Sequence, residues 1–160
     1  YLLHNDQESE VLANLQKLAA TENVLVREQA CDAAADMESN RLLQEMNRVR
    51  TQRQKRMLTE SDTLTETAKL LADTYQESPD TYEADAPKAV KESLGEQAEQ
   101  AYQVMLVNCN SYTDAIAQYN QERKDVTVNF LTTQDYTQVG VSSIYEPDGK
   151  QFSFIILLLP

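Results

Sequence analysis

The chain has 160 residues, 41% of them hydrophobic and 25% charged, with a net charge of -12 at pH 7. That length suits one domain with a core of its own, and the composition is that of an ordinary globular domain. A chain this acidic is repelled by a phosphate backbone or an anionic bilayer, so nucleic acid is excluded as a general partner.

The chain starts at Tyr1 and not at Met, as expected of one that has been processed or cut, so compartment is left open. In "ESEVLANLQKLAA", residues 8–20, Val11, Leu12, Leu15, Leu18 and Ala19 recur at helical spacing. The following "NVLVREQACDAAADMESNRLLQEMNRVRTQRQKRML" reads as one long helix, or two joined near Asn40. Its expected buried stripe is Val26, Ala30, Cys31, Ala34, Met37 and Leu42. The run "RVRTQRQKR", residues 48–56, holds five of the fourteen basic residues: Arg48, Arg50, Arg53, Lys55 and Arg56. It reads as a solvated helix face or as a docking surface for an acidic partner.

Residues 62–76 suggest a further helix with Leu64, Ala68, Leu71 and Tyr75 on one side. "ESPDTYEADAP", residues 77–87, reads as an acidic loop because two prolines interrupt the pattern. "KAVKESLGEQAEQAYQVML" resumes helical spacing with Gly95 as a stop, and Ser111 or Thr113 caps a helix carrying Ala115, Ile116 and Tyr119. Then the period changes to two. "VTVNFL", residues 126–131, alternates, and "QVGVSSIY" and "KQFSFIILLL" flank Pro147-Asp148-Gly149. That tripeptide predicts a tight turn with Gly149 at positive φ. The longest apolar run, Ile155–Leu159, is strand-sized, so no segment is long enough to cross a bilayer as a helix. Helices followed by late antiparallel strands predict an α+β layer fold.

The order of four segments resembles the CAP superfamily, which includes the cysteine-rich secretory, antigen 5 and pathogenesis-related 1 proteins. The segments are "LLHNDQ", "VREQACDAAADM", "SYTDAIAQYNQER" and "DYTQVGVSSIYEPDGKQFSF". The resemblance implies a single domain over residues 1–160. Its fold would be an α-β-α sandwich with a central antiparallel sheet, a helix-rich first two-thirds and a closing β-hairpin. Residues 57–100 have no evident counterpart in it, so about 48–90 is expected to be a polar insertion or an extended helical and loop region.

Family members carry a cleft with two His and two Glu, which in some of them holds a divalent metal. This chain has one histidine, His4, and it matches the family's opening His-Asn pair, not the cleft. Gln103 falls where one cleft Glu would stand, and Glu122 matches the other. The second cleft His falls near Asp125–Thr127 or on Asp135, depending on which residues are aligned. The first falls near Gln44–Asn47. No metal, cofactor or catalytic group is therefore expected. Ser-His-Asp chemistry lacks a histidine beside a nucleophile, and three scattered glycines make no phosphate loop. Acid pairs such as Asp32/Asp36 carry little weight among 26 acidic residues. Cys31 and Cys109 are one disulfide or two thiols, with no Cys-x-x-Cys pair.

The expected function is non-catalytic: a CAP-like binding or structural domain, a subunit or accessory factor of a larger protein assembly, with residues 48–90 carrying the contacts. The resemblance implies an extracellular setting. The alternatives are a secreted CAP-like protein holding a sterol or fatty acid, and a helical scaffold subunit unrelated to CAP.

Overall fold

The computed structural model describes residues 2–122, 129, 131 and 135–160, with side chains from Gln7 onward. α1 (Leu2–Ala19) sets Leu12, Leu15 and Ala19 against the core, while Val11 and Leu18 stay exposed. α2 (Val24–Gln52) is one continuous helix, opened by Asn23, whose side chain accepts the Val26 N–H at 3.2 Å. Its buried line runs through Ala30, Ala34, Ala35, Leu42 and Met46. Of the stripe read from the sequence, Val26, Cys31 and Met37 are half-buried.

The basic run is not one helix. α2 stops at Gln52 in a Schellman turn: the Lys55 N–H donates to the Arg50 carbonyl at 2.8 Å and the Gln54 N–H to Thr51 at 3.0 Å. Gln54 holds φ 60°, a position that usually takes Gly. With glutamine there, the stop left no mark in the sequence.

The chain continues through β1 (Thr59–Glu60), α3 (Asp62–Glu77), a 3-10 turn at Pro79–Thr81 and α4 (Tyr82–Leu94). After a second 3-10 segment at Gly95–Gln100 come β2 (Tyr102–Cys109), α5 (Tyr112–Glu122), β3 (Gln138–Glu146) and β4 (Gln151–Leu159). Two expectations are corrected. The acidic loop of residues 77–87 is largely α4, with Pro87 inside it; Tyr82, Ala86, Val90 and Leu94 recur every four residues and bury one side. The helical reading through residue 106 ends at Gly95, and the apolar residues beyond it form a strand. Gly95 does stop α4, at φ 61°. The strand read at residues 126–131 lies, apart from Asn129 and Leu131, outside the described residues.

The sheet order is β1-β3-β4-β2. β2, β4 and β3 are antiparallel, and β1 adds a two-residue parallel strand, so the sheet is mixed and not purely antiparallel. On one face Val104, Leu106, Val139, Val141, Phe152, Phe154, Ile156 and Leu158 pack under α1, α2 and α5. On the other, Ile144, Ile155, Leu157 and Leu159 pack against Leu64, Ala68 and Leu71 of α3 and Tyr82, Ala86 and Val90 of α4. This is the α-β-α sandwich. α3 and α4 form its second helical layer, so the stretch read as a polar insertion or an extended helical and loop region contributes Leu64, Ala68, Leu71, Tyr82, Ala86 and Val90 to the core.

β3 and β4 pair from Gln138–Leu159 to Glu146–Gln151, leaving a four-residue turn of Pro147, Asp148, Gly149 and Lys150. The positive φ in that turn belongs to Lys150, at 53°, and not to Gly149. Gly140 is needed for a different reason. A Cβ there would overlap the backbone of Leu64 and Thr65, so the glycine lets the first turn of α3 lie directly on β3. Ser61 opens α3 at that point, accepting the Leu64 N–H at 3.3 Å.

Candidate functional site

The side chains that mark a site follow from how β3 ends up bonded. The carbonyls of Thr137 and Val139 accept from Thr59 N–H at 2.8 Å and Ser61 N–H at 2.9 Å. Thr137, ahead of β3, sends its N–H to the Leu159 carbonyl of β4 at 3.0 Å, so the direction within β3 is that of Val139, whose carbonyl points away from β4, and strand alternation continues it to Val141, Ser143 and Tyr145. β1 reaches only Gln138 and Val139. Beyond them, among the described residues, the β3 edge has no strand partner.

That edge is the floor of a groove of about 270 Å³, formed by Ser142–Tyr145. Cys31, Asp32, Ala35 and Asp36 of α2 make one wall, and Lys69, Ala72, Asp73 and Gln76 of α3 the other. The small residues Ala35 and Ala72 are buried where the helices meet the sheet. The Ser143 hydroxyl donates to the Ala35 carbonyl at 2.6 Å and shares a hydrogen bond with the Ser39 hydroxyl at 2.7 Å. The floor is thereby tied to α2 by side chains, while among the described residues no strand bonds its outward backbone groups.

Three carboxylates and one ammonium line the groove. Desolvation raises the Asp36 carboxyl above its ordinary range; Lys69 pulls it down and Asp32 pushes it up. Burial raises the Cys31 thiol, Asp32 raises it further, Arg27 opposes and Glu28 adds to the rise, so the sulfur is held as a thiol and not an activated thiolate. The Tyr145 hydroxyl is raised by burial and by Cys31, against a hydrogen bond from Gln16. These groups can recognise a ligand by charge and hydrogen bonding. Among the described residues, no group of three or more His, Cys, Asp or Glu is placed to hold a metal ion.

The residues singled out from the sequence lie elsewhere. Gln103 sits on β2 and donates to the Tyr82 hydroxyl, on the face covered by α4. Burial pushes that hydroxyl up to about 12, with the Gln103 bond opposing. Glu122 ends α5, above the opposite face, and is exposed. Asp135 is exposed ahead of β3. The structure does not bring these three together.

The basic run is divided in the same way. Arg50 is fully buried, which removes it from any docking surface. Its Nε donates to the Arg56 carbonyl at 2.8 Å and its guanidinium reaches the Tyr136 carbonyl at 3.4 Å. The Asn47 side chain completes this clasp, accepting from Leu58 N–H at 2.7 Å and donating to its carbonyl at 3.1 Å. Arg48 is ion-paired with Glu45. Arg53 and Arg56 are exposed and Lys55 half-buried.

One further carboxylate is buried away from the groove. Glu38 accepts the Tyr112 N–H at 3.3 Å and has Arg41 at 3.5 Å, tying α2 to α5. Arg41 lies over the Tyr112 ring at 4.7 Å. Desolvation raises the Glu38 carboxyl, Arg41 and the Tyr112 hydrogen bond lower it, and Glu8 raises it.

Solved structures of similar fold decide the fold class. A cysteine-rich secretory protein from Staphylococcus aureus matches at 12% identity and TM-score 0.56, over 79% of this chain and 39% of its own. An outer surface protein from Borrelia burgdorferi matches at 14% identity and TM-score 0.57, over 76% of this chain and 91% of its own. The CAP domain of enterococcal PrgA matches at 18% identity and TM-score 0.51, over 78% of this chain and 62% of its own. The chain has a CAP-like fold. No family model and no curated protein matches the sequence. The CAP-like region spans well under half the length of the staphylococcal protein.

Of the groove residues in this CAP-like fold, Asp32 and Asp36 stand out in the sequence only as one acid pair among many. The available signal was their i,i+4 spacing on the same helix as Cys31 and Ala35. What sequence could not supply was α3, which brings Lys69 and Asp73 to the other wall.

Proposed function

We propose that this CAP-like domain is a non-catalytic binding domain, a subunit or accessory factor that meets a protein partner in an extracellular setting. The observation that carries the reading is the polar groove between α2 and α3 on the open edge of β3. It is concave, holds convergent charged and hydroxyl groups, and among the described residues offers a strand edge with no strand partner, features that support a recognition site. Neighbours named as a secretory and an outer surface protein support the extracellular setting. With Arg50 buried and Arg48 paired, the basic turn is the lesser contact surface, reduced to Arg53, Lys55 and Arg56.

Panning a random linear-peptide display library against the chain tests this. Sequences enriched on the wild type should lose enrichment on an Asp36→Lys/Asp73→Lys variant whose circular dichroism is unchanged. Equal enrichment on both would remove the groove from the reading. Arg53→Glu/Arg56→Glu serves as the comparison and should leave enrichment unaltered.

Lipid binding is the second reading. It is supported by one shallow recess of about 490 Å³ beside Leu43, Asn47 and the exposed Met57. Organic extraction of the purified chain tests it: recovery of a stoichiometric sterol or fatty acid would favour it over the groove.

A further inference from the structure

Resting on the groove as the binding site, we infer that its occupant is an extended peptide segment with Lys or Arg at alternate positions, added as a strand to the β3 edge at Val141–Tyr145. β1 occupies that edge only as far as Val139, then the chain turns away at Ser61 into α3. Among the described residues, no strand takes the next place in line with β1. An added strand would take the outward N–H and C=O groups of Val141, Ser143 and Tyr145, as peptides do when they extend a sheet.

The walls set the side-chain pattern. Successive side chains of the added strand point to opposite faces of the sheet. One set meets the α2 wall, where Asp32 and Asp36 supply two carboxylates and no basic side chain of α2 lines the groove, although Lys69 on the facing wall is near enough to act on Asp36. The other meets the α3 wall, where Lys69 and Asp73 offer both signs. Charge complementarity therefore asks for Lys or Arg on alternate residues and tolerates small or polar ones between. A long, polar, unpaired edge invites self-association unless it is guarded. The two helices flanking it restrict entry to a single strand.

The probe is an acetylated, amidated hexapeptide of alternating Lys and Val, titrated against the chain by calorimetry and by amide exchange. Binding should protect the amides of Val141, Ser143 and Tyr145 and leave those of Ser142 and Ile144 unchanged. A peptide N-methylated at the residues that donate to β3 should bind about tenfold or more weakly, since about one lost hydrogen bond per position is compounded over the edge. Methylation at the other parity should have little effect. Asp36→Lys should weaken the unmodified peptide by a similar factor, while Arg56→Glu should not.

Binding that depends on Asp36 but leaves the odd-numbered amides unprotected would overturn strand addition and leave the groove reading standing. No hexapeptide binding, with groove-dependent sequences still enriched by display, would overturn the alternating basic occupant alone. Failure of both would remove the groove as well.

Discussion

β3 and β4 are two arms of one hairpin, yet they live in different surroundings. β4 is bonded on both sides, to β3 and to β2, and Phe152–Leu159 are all buried. Among the described residues, β3 is bonded along its whole length on one side and for two residues on the other. The sequence follows this. "FSFIILLL" is almost continuously apolar, because both faces of a central strand are covered by helices. "VSSIYE" carries hydroxyls at Ser142 and Ser143, because its edge opens into a polar groove. Covering the sheet with helices closes its faces; only another strand closes its edge. The proposed binding site therefore lies where the layers stop, and not in the core.

The largest effect expected from this contrast is at Phe154, fully buried and stacked on Phe152 at 6.1 Å. Phe154→Ala should cost about 3–5 kcal/mol in chemical denaturation, whereas Ser142→Ala, on the floor of the groove, should stay within about 0.5 kcal/mol. Comparable losses at both positions would mean that the β3 edge is packed like the core.

Gly140 comes next, because it marks where β3 changes from covered to open. Gly140→Ala should destabilise by about 1–3 kcal/mol, since backbone and not a flexible side chain occupies the space. Gly149→Ala, with nothing nearer than the Gln151 amide oxygen at 3.8 Å, should be close to neutral.

α2 carries the same contrast in its carboxylates. Glu38 is buried on the closed side and Asp36 lines the groove. The folded state holds the Glu38 carboxyl above its ordinary value of 4.5, so the fold binds this proton more tightly than the unfolded chain does. Its contribution is fully present below that value and is lost as pH rises through the folded one. Glu38→Gln should remove that slope, so its stability relative to wild type should rise across the mildly acidic range. Denaturation midpoints measured against pH check this; parallel curves would contradict the buried, raised carboxyl.

The smallest effects are at turns. Lys150 in the hairpin and Gln54 after α2 hold positive φ without being glycine. Lys150→Gly and Gln54→Gly should each stabilise by about 0.5–1 kcal/mol in thermal unfolding, relief of left-handed strain exceeding the added chain entropy.

How much of this was legible in the sequence follows from the same physics. The hairpin was, because alternation and a Pro-Asp-Gly turn are local signals. The sandwich was, through the order of its segments. α4 was hidden because Pro79 and Pro87 read as breakers, although Tyr82, Ala86, Val90 and Leu94 already stood four apart. β2 was hidden because in "YQVMLVNC" only Val104, Leu106 and Cys109 are buried, and the register shift between Leu106 and Cys109 breaks the alternation. The fate of Arg50 could not be read, since burial of a cation depends on carbonyls supplied by Arg56 and Tyr136. The groove could not be read either: it joins α2, α3 and β3, which lie over a hundred residues apart at the extremes, and no local pattern records where a neighbouring strand ends.

Amide hydrogen exchange along the hairpin of the free chain tests the open edge most directly. The account predicts alternation in β3, with Ser142 and Ile144 protected and Val141, Ser143 and Tyr145 exchanging fast, beside uniform protection from Phe152 to Leu158 in β4. Uniform protection of Val141–Tyr145 in the free chain would show that the edge is already paired, and would contradict the groove as the place where a partner strand is received.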